Sequence, residues 1–333
     1  MRIISGNFRA LLKNNTAHLI HRYFNSKPPW NVLFFGTDNF SLASLKALNS
    51  LNDKYIGKLE VVTSAKNNIV RKYAIDEKLV LHNWPEFPRG VFDIGLIVSF
   101  GHLIPKDVIN SFPMGMLNVH ASLLPRWRGA APIIYAIANG DLKTGVSIMK
   151  IHPHKFDVGE VLRQDSINIE EDVRMPELHQ RLATLGADNL IETIKKLPDC
   201  LKEAVQQSKE GVTFAPKISS SMANVDFRRK TCKEIYDLGR ALTGVFPLLV
   251  HFQDKPVKLH NVSCYERCEH SEVPGTIAFD RSKKIVKVFC TDGFVAVDKL
   301  GVLNKKVMNA SEFNNGYLKK TDVRIFSKEA QCV

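Results

Sequence analysis

The sequence has no acidic residue before Asp38, no Cys-x-x-Cys pair, and no apolar run approaching the ~18–20 residues that a membrane-spanning helix needs. A bilayer-spanning segment and a paired-thiol zinc ribbon are therefore not expected. Six cysteines, Cys200, Cys232, Cys264, Cys268, Cys290 and Cys332, are few for 333 residues. Without a secretory leader they give no reason to expect a disulfide framework. Cys264 and Cys268, with His270 beside them, could supply two or three metal ligands, but no second ligand pair follows, and ordinary thiols are expected. His152-Pro153-His154 likewise reads as the decoration of a loop, and no metal is expected. Neither GxGxxG nor GxxxxGK[ST] occurs; Phe35-Gly36-Thr37 offers one glycine only, which disfavours dinucleotide and P-loop chemistry.

What is present is a globular composition with an uneven charge. The chain is 44% hydrophobic and 24% charged, and its length suggests two domains at about 150 residues each. The net +12 divides as +5 over residues 1–27, zero over 28–205 and +7 over 206–333. The first segment carries Arg2, Arg9, Lys13, Arg22 and Lys27, with Ile4, Phe8, Leu11 and Leu12 near helical spacing. Lys13 to Thr16 interrupts the only candidate for a secretory apolar core. Residues 1–29 are therefore expected to be a mitochondrial presequence, which places the mature protein in the matrix.

From 30 to 205 strand-like and helix-like stretches alternate. Strands are expected over 31–35, 59–63, 92–98, 115–119 and 145–151. Helices are expected after Gly36 (capped by Thr37 or Asp38), over 70–77, over 131–138 and over 176–197. Such alternation implies a doubly wound α/β domain with its ligand at the carboxyl ends of the strands. Residues 206–224 are polar, with Ser219-Ser220-Ser221, and read as a linker. Residues 225–333 hold one helix near 231–242, then short alternating strands over 257–262, 275–279, 285–289 and 294–297. These suit a small OB-like β-barrel.

One stretch concentrates the chemistry: Asn118-Val119-His120-Ala121-Ser122-Leu123-Leu124-Pro125-Arg126-Trp127-Arg128-Gly129-Ala130-Ala131-Pro132. Asn118 and His120 lie two apart at a strand end, so their side chains share a face. An amide there can donate to a developing oxyanion, and an imidazole can exchange or stabilise a proton. Asp157 follows the next strand and could meet them across the crevice. A lone histidine at a strand end is commonly no more than a hydrogen-bonded side chain, so Asn-Val-His alone decides little.

The whole constellation in order decides more. The run from Asn118 to Pro132, then Thr144-Gly145-Val146, then Asp157-Val158-Gly159, resembles the formyltransferases that use 10-formyltetrahydrofolate. Trp127-Arg128-Gly129-Ala130-Ala131-Pro132 resembles the methionyl-tRNA formyltransferase branch, and the presequence resembles its mitochondrial form. The likeness extends over nearly all of 31–320, with Phe35-Gly36-Thr37, Val98-Ser99-Phe100-Gly101, Phe214-Ala215-Pro216-Lys217, Glu272 to Thr276 and Thr291 to Phe294. It implies a Rossmann-like catalytic domain over 30–205 and a tRNA-binding barrel over 225–333. The implied catalytic trio is Asn118, His120 and Asp157, with the folate held by Ser122, Leu123, Leu124 and Pro125 and by the loop at Phe100 and Gly101. The implied partners are 10-formyltetrahydrofolate and methionyl-tRNA, in a monomer that engages no membrane.

The charge division agrees with that reading. A neutral domain suits a small donor and a basic one an RNA backbone. Candidate phosphate contacts are Arg228, Arg229, Lys230, Lys283, Lys284, Lys287, Lys305 and Lys306, although any such cluster can equally be a solvated face. The resemblance also implies a long basic loop after the second strand in bacterial relatives. Here 63–70 is short, with only Lys66, and with Arg71 just beyond. The other readings are a formyltetrahydrofolate hydrolase, a purine-pathway transformylase, a sugar-nucleotide formyltransferase and a non-catalytic RNA-binding protein.

Overall fold

The computed structural model describes residues 27–153 and 155–329. The presequence expected over 1–29 lies almost wholly outside the described residues, as do His154 and Cys332. The chain folds into two compact units. The first takes the residues up to Ala130, Thr144–Ile167 and His179–Ala215; the second takes Ala131–Lys143, Asn168–Leu178 and the chain from Pro216 onward. This differs from the boundaries drawn in the sequence at 205 and 225. Segments 131–143 and 168–178 join the second unit, and the first half of the supposed linker joins the first. Composition reports local polarity, whereas these segments are placed by hydrogen bonds and packing to residues far along the chain.

The first unit is built on a seven-stranded sheet. Its strands are β1 (Trp30–Phe35), β2 (Ile56–Thr63), β3 (Val80–Asn83), β4 (Ile94–Val98), β5 (Met116–His120), β6 (Lys143–Lys150) and β7 (Val161–Asn168), in the order β3-β2-β1-β4-β5-β6-β7. From β3 to β5 every pairing is parallel, and β6 runs antiparallel to β5. The strand order reverses between β1 and β4, so the ligand crevice belongs at the carboxyl ends of these strands and of β5 beside them. β1 and β4 read as continuous apolar runs because both of their faces are buried. β3 and β7 do not appear in the sequence reading. β3 is an edge strand without a fully buried residue, and β7 (VLRQDSIN) is half-exposed along its length, so neither carries an apolar run.

The helices of this part of the chain are α1 (Asn39–Asn49), α2 (Ile69–Asp76), α3 (Lys106–Ile109), α4 (Pro132–Ala138), α5 (Met175–Lys195) and α6 (Asp199–Lys202). Asp38, not Thr37, caps α1: its carboxylate accepts from Ser41 N at 3.0 Å in a capping box. Behind the crevice lies an aromatic cluster, in which Phe35 meets Phe100 and Phe87 edge-on at 5.5 Å and Trp84 at 6.3 Å. Each such pair contributes about 0.5–1.5 kcal/mol beyond its buried area.

The second unit holds α7 (Cys232–Ala241), then β8 (Leu248–Phe252), β9 (Lys255–Arg267), β10 (Ile277–Asp280), β11 (Ile285–Phe289), β12 (Gly293–Val302), β13 (Met308–Asn309), α8 (Ala310–Gly316) and β14 (Phe326–Ser327). The sheet runs β10-β11-β12-β9-β8-β14, with β13 added to β12. Its ends meet: Ile277 N donates to Arg324 O and Phe326 N to Gly275 O, both at 2.8 Å, so the antiparallel sheet curls into a barrel. Gly275 has φ +98°, and a Cβ there would stand 2.4 Å from Phe326 O, so the closure requires glycine. β9 and β12 are longer than their sequence patterns suggested, because register shifts between Ala296 and Leu300 let both strands bend and continue.

α4 packs on α7 within this unit. The segment 168–178 is fastened there by Arg240, which is 2% exposed and donates to Asp237 Oδ1 at 2.8 Å and to Val173 O at 2.9 Å. Arg174 adds a bond to Val262 O at 3.2 Å. No helix among the described residues is long and apolar enough to cross a membrane.

Candidate active site

β5 ends at the crevice, and its last residues set the site. Asn118 pairs across to Ile97 of β4 and Met149 of β6, which leaves the residue half-buried. His120, two residues on, is 6% exposed. Its Nε2 lies 2.9 Å from Trp127 O. A carbonyl only accepts, so Nε2 carries the hydrogen and Nδ1 is the basic nitrogen of the neutral ring. Nδ1 faces Asp157 Oδ1 at 3.6 Å. A proton arriving at Nδ1 thus meets a carboxylate in a largely dehydrated setting, where opposite charges interact strongly.

Asp157 is 9% exposed and held in the left-handed region at φ 53°. Its second oxygen, Oδ2, accepts from Gly129 N at 2.8 Å. Gly129 has φ +124°, and a Cβ on it would stand 2.5 Å from Ala215 O. The Trp-Arg-Gly motif therefore needs glycine so that residues 128–129 can lie against 213–215. There Arg128 N donates to Thr213 O at 2.9 Å and Ala215 N to Arg128 O at 2.7 Å. Of the expected trio Asn118, His120 and Asp157, the structure sets His120 against Asp157 at 3.6 Å and places Asn118 two residues before His120 on β5.

The folate candidates divide. The Ser122 hydroxyl is fully buried and donates to Arg126 O at 2.6 Å, so it shapes the turn instead of facing a ligand. Ser122 O accepts from Ser147 Oγ at 2.6 Å, and the same Oγ accepts from Leu124 N at 3.1 Å. Gln164 Nε2 donates to Ser147 Oγ at 2.8 Å and to Leu124 O at 3.0 Å. Leu124 is buried, while Leu123 and Pro125 are half-exposed. The Phe100 ring belongs to the aromatic cluster, and the residue is 4% exposed, so its side chain serves packing. Gly101 is exposed at φ +73°, and a Cβ placed on it would meet open space. Ser99 before it is also left-handed, held by Thr37 Oγ1 donating to Ser99 O at 2.9 Å and by its own hydroxyl donating to Asp38.

Ser147, Gln164, Gln207 and Thr213 escaped the sequence reading. Trp127 N donates to Thr213 Oγ1 at 2.9 Å, and Arg128 grips Gln207 Oε1 through Nε at 3.1 Å and Nη2 at 2.7 Å. Gln207 and Thr213 lie in the polar stretch after residue 205, which is equally the mark of a linker, while Ser147 and Gln164 left no signal at all.

Of the basic candidates, Lys66, Arg228, Arg229, Lys283, Lys284, Lys305 and Lys306 are exposed and Lys230 is half-buried. Arg71 is engaged: Nη2 donates to Ser64 O at 2.9 Å and to the Asn83 side chain, so it braces the short loop after β2. Lys287 is paired with Asp280 at 3.4 Å and lies 4.5 Å from the centre of the Phe294 ring. The Asp280 carboxyl is held far below its ordinary range, first by the Ser282 hydroxyl and the Lys283 amide and then by Lys287. His152 bonds Glu160 at 2.8 Å; burial acts to raise the Glu160 carboxyl, but this bond helps to bring it below its usual value. Cys264 is exposed, Cys268 half-buried, and His270 packs on the Phe289 ring at 5.0 Å. No cluster of three or more His, Cys, Asp or Glu among the described residues could hold a metal ion.

This geometry has counterparts. Residues 89–194 match the formyl transferase family, and residues 217–318 match the formyl transferase C-terminal domain. The mitochondrial methionyl-tRNA formyltransferase of Homo sapiens is 38% identical over 308 residues, covering 88% of this chain and 79% of that protein. The methionyl-tRNA formyltransferase of Coxiella burnetii is 30% identical over 310 residues, covering 86% and 95% respectively. Among solved structures, an N-formyltransferase from Helicobacter canadensis in complex with folinic acid and dTDP-3-aminofucose superposes with a TM-score of 0.60 at 15% identity, over 81% of this chain and 98% of that one. That last likeness shows the shared fold, and the sequence likeness shows the family: this chain belongs to the methionyl-tRNA formyltransferases.

Proposed function

We propose that this chain transfers the formyl group of 10-formyltetrahydrofolate to the α-amino group of methionyl-tRNA, for initiation of translation in the mitochondrial matrix. One observation carries the reading. The His120 imidazole is locked between the Trp127 carbonyl and the Asp157 carboxylate, on the same strand face as Asn118.

The roles follow from that arrangement. The neutral amine attacks the formyl carbon, and negative charge gathers on the formyl oxygen. The Asn118 amide, on which no hydrogen bond falls among the described residues, donates to that oxygen, while His120, whose ring nitrogens face Trp127 O and Asp157, supports it through the positive charge gained when Nδ1 takes up a proton. The ammonium formed by the attack loses a proton to the His120–Asp157 pair, and the departing N10 of the folate takes one up as the intermediate collapses. The loop 99–101 and the turn 122–125 fit a flat donor through backbone groups and Leu123, since the Ser122 hydroxyl and the Phe100 ring are used internally. No step requires a metal. The exposed cations of the barrel serve the tRNA backbone. The short loop after β2 leaves tRNA selection to the methionyl group and the barrel, and the enzyme acts as a monomer.

The deciding experiment offers labelled 10-formyltetrahydrofolate to purified protein with methionyl-tRNA, water or an amino sugar as acceptor. Label passing to methionyl-tRNA alone is expected. Transfer to the sugar, or release of formate at a comparable rate, would overturn the reading. Residues 1–29 act as the presequence; fused to a fluorescent reporter, residues 1–35 are expected to deliver it to mitochondria, and cytosolic fluorescence would refute this.

A further inference from the structure

We infer that Gln207 is a positioning residue for Asp157 and, through Asp157, for His120; the inference rests on the catalytic reading of Asp157 given above. Gln207 lies 50 residues from Asp157, in the polar stretch that the sequence offers as a linker, between exposed Gln206 and Ser208. Its carboxamide is nonetheless fully engaged. Nε2 donates to Asp157 O at 3.0 Å and to Gly159 O at 2.8 Å, while Oε1 accepts from Arg128 Nε and Nη2. Two donors and two acceptor sites are all that a carboxamide has. The amide cannot be reversed, because that would set its NH2 against a guanidinium and its oxygen against two carbonyls.

These bonds close a ring. Gln207 holds Arg128; Arg128 is joined by its peptide bond to Gly129; Gly129 N donates to Asp157 Oδ2; and Asp157 O returns to Gln207. The ring fixes which carboxylate oxygen remains for His120, namely Oδ1. It also holds a non-glycine residue at φ 53°, a conformation that persists only where the surroundings over-determine it. On the far side the loop has no slack, since a Cβ at Gly159 would stand 1.8 Å from Lys150 O. Gln207 thus fixes the backbone from which the Asp157 carboxylate is aimed, without being near the reacting carbon itself.

The test needs a residue that keeps the shape and loses the donors. Gln207→Glu retains the pairing with Arg128 but turns an oxygen on the two carbonyls, and Gln207→Met fills the same space with no polar contact. Displacing a catalytic group by about 1 Å costs on the order of 100-fold, so kcat is expected to fall about 10- to 100-fold in both variants. KM for both substrates should stay within about twofold when each variant is assayed well below its own melting temperature. In an Asp157→Asn background the same substitutions should add less than about twofold, because the group they aim is already disabled. Normal kcat in both Gln207 variants, alongside a slow Asp157→Asn, overturns this inference and leaves the catalytic reading standing. A normal rate in Asp157→Asn overturns that reading, and this inference with it. Full multiplication of the two losses, or a change confined to KM, shows that Gln207 acts elsewhere and overturns the inference. If the glutamate variant fails to fold, the methionine variant decides by the same criteria.

Discussion

The polar groups at the end of β5 and the cations of the barrel illustrate two ways of using charge. His120, Asp157, Ser122 and Ser147 are buried, and each is oriented by a named neighbour at hydrogen-bond or ion-pair distance. Lys283, Lys284, Lys305 and Lys306 are exposed and lie on loops between strands, where no side-chain hydrogen bond or ion pair among the described residues fixes their directions. Chemistry at a single carbon needs a few groups held still. A phosphate backbone needs many charges that can adjust, each contributing modestly. The first arrangement should respond to substitution in kcat, steeply and almost independently of salt. The second should respond in affinity, gradually and with salt.

Arg240 tests this contrast hardest, because it is a buried cation in the otherwise surface-charged unit. Replacing it with leucine leaves Asp237 with Lys233 and removes one donor from each of the carbonyls of Glu170 and Val173. A loss of about 3–5 kcal/mol is expected in urea denaturation; a loss below about 1 kcal/mol would show that burial of a charge says little here. Next in size come Asn118→Ala and His120→Ala, expected to lower kcat about 100- to 1000-fold with tRNA affinity preserved. Near-normal turnover in either would remove that residue from the mechanism.

Smaller again is the effect of turning Lys283, Lys284, Lys305 and Lys306 together to glutamine. Binding of methionyl-tRNA should weaken at low salt, and the slope of log affinity against log salt should flatten by roughly 0.7–0.9 for each phosphate left without its cation. Parallel slopes would make these lysines a solvated face. Adding Lys287→Gln should change little, since that amine is held by Asp280 and Phe294. The smallest effect is on stability with pH. Burial pushes the His179 imidazole below its ordinary value, against the pull of Asp38. The unfolded chain therefore takes up this proton near pH 6.5 while the folded chain resists it, and stability contributed here is lost as pH falls below that point. His179→Gln should narrow the fall in melting temperature between pH 7.5 and 5.5; identical curves would refute the assignment.

The parts legible in the sequence were those written in consecutive residues. Asn118, His120 and the Trp127–Gly129 turn occupy one short run, and its glycine, Gly129, is required by a backbone contact that admits no side chain. The central parallel strands were legible because burial on both faces leaves an apolar run, whereas the parallel edge strand β3, buried on neither, was not. Ser147, Gln164 and Gln207 were not, since a hydroxyl or carboxamide that bonds a distant carbonyl looks like any surface polar residue. For the same reason Arg71 and Lys287 looked free, and β7 left no strand pattern to read.

The chain passes between the two units five times, at 130, 143, 167, 178 and 215, before the barrel begins in earnest. A ribosome delivers α4 about a hundred residues before α7, the helix on which it packs. Ile133, Ile134 and Ile137, buried in the finished protein, must wait through that interval without α7. The first unit cannot close early either, because its last segment, 179–215, follows two excursions into the second. Vectorial synthesis thus yields no finished unit until residue 215 has emerged, and the second unit waits for the C-terminal third.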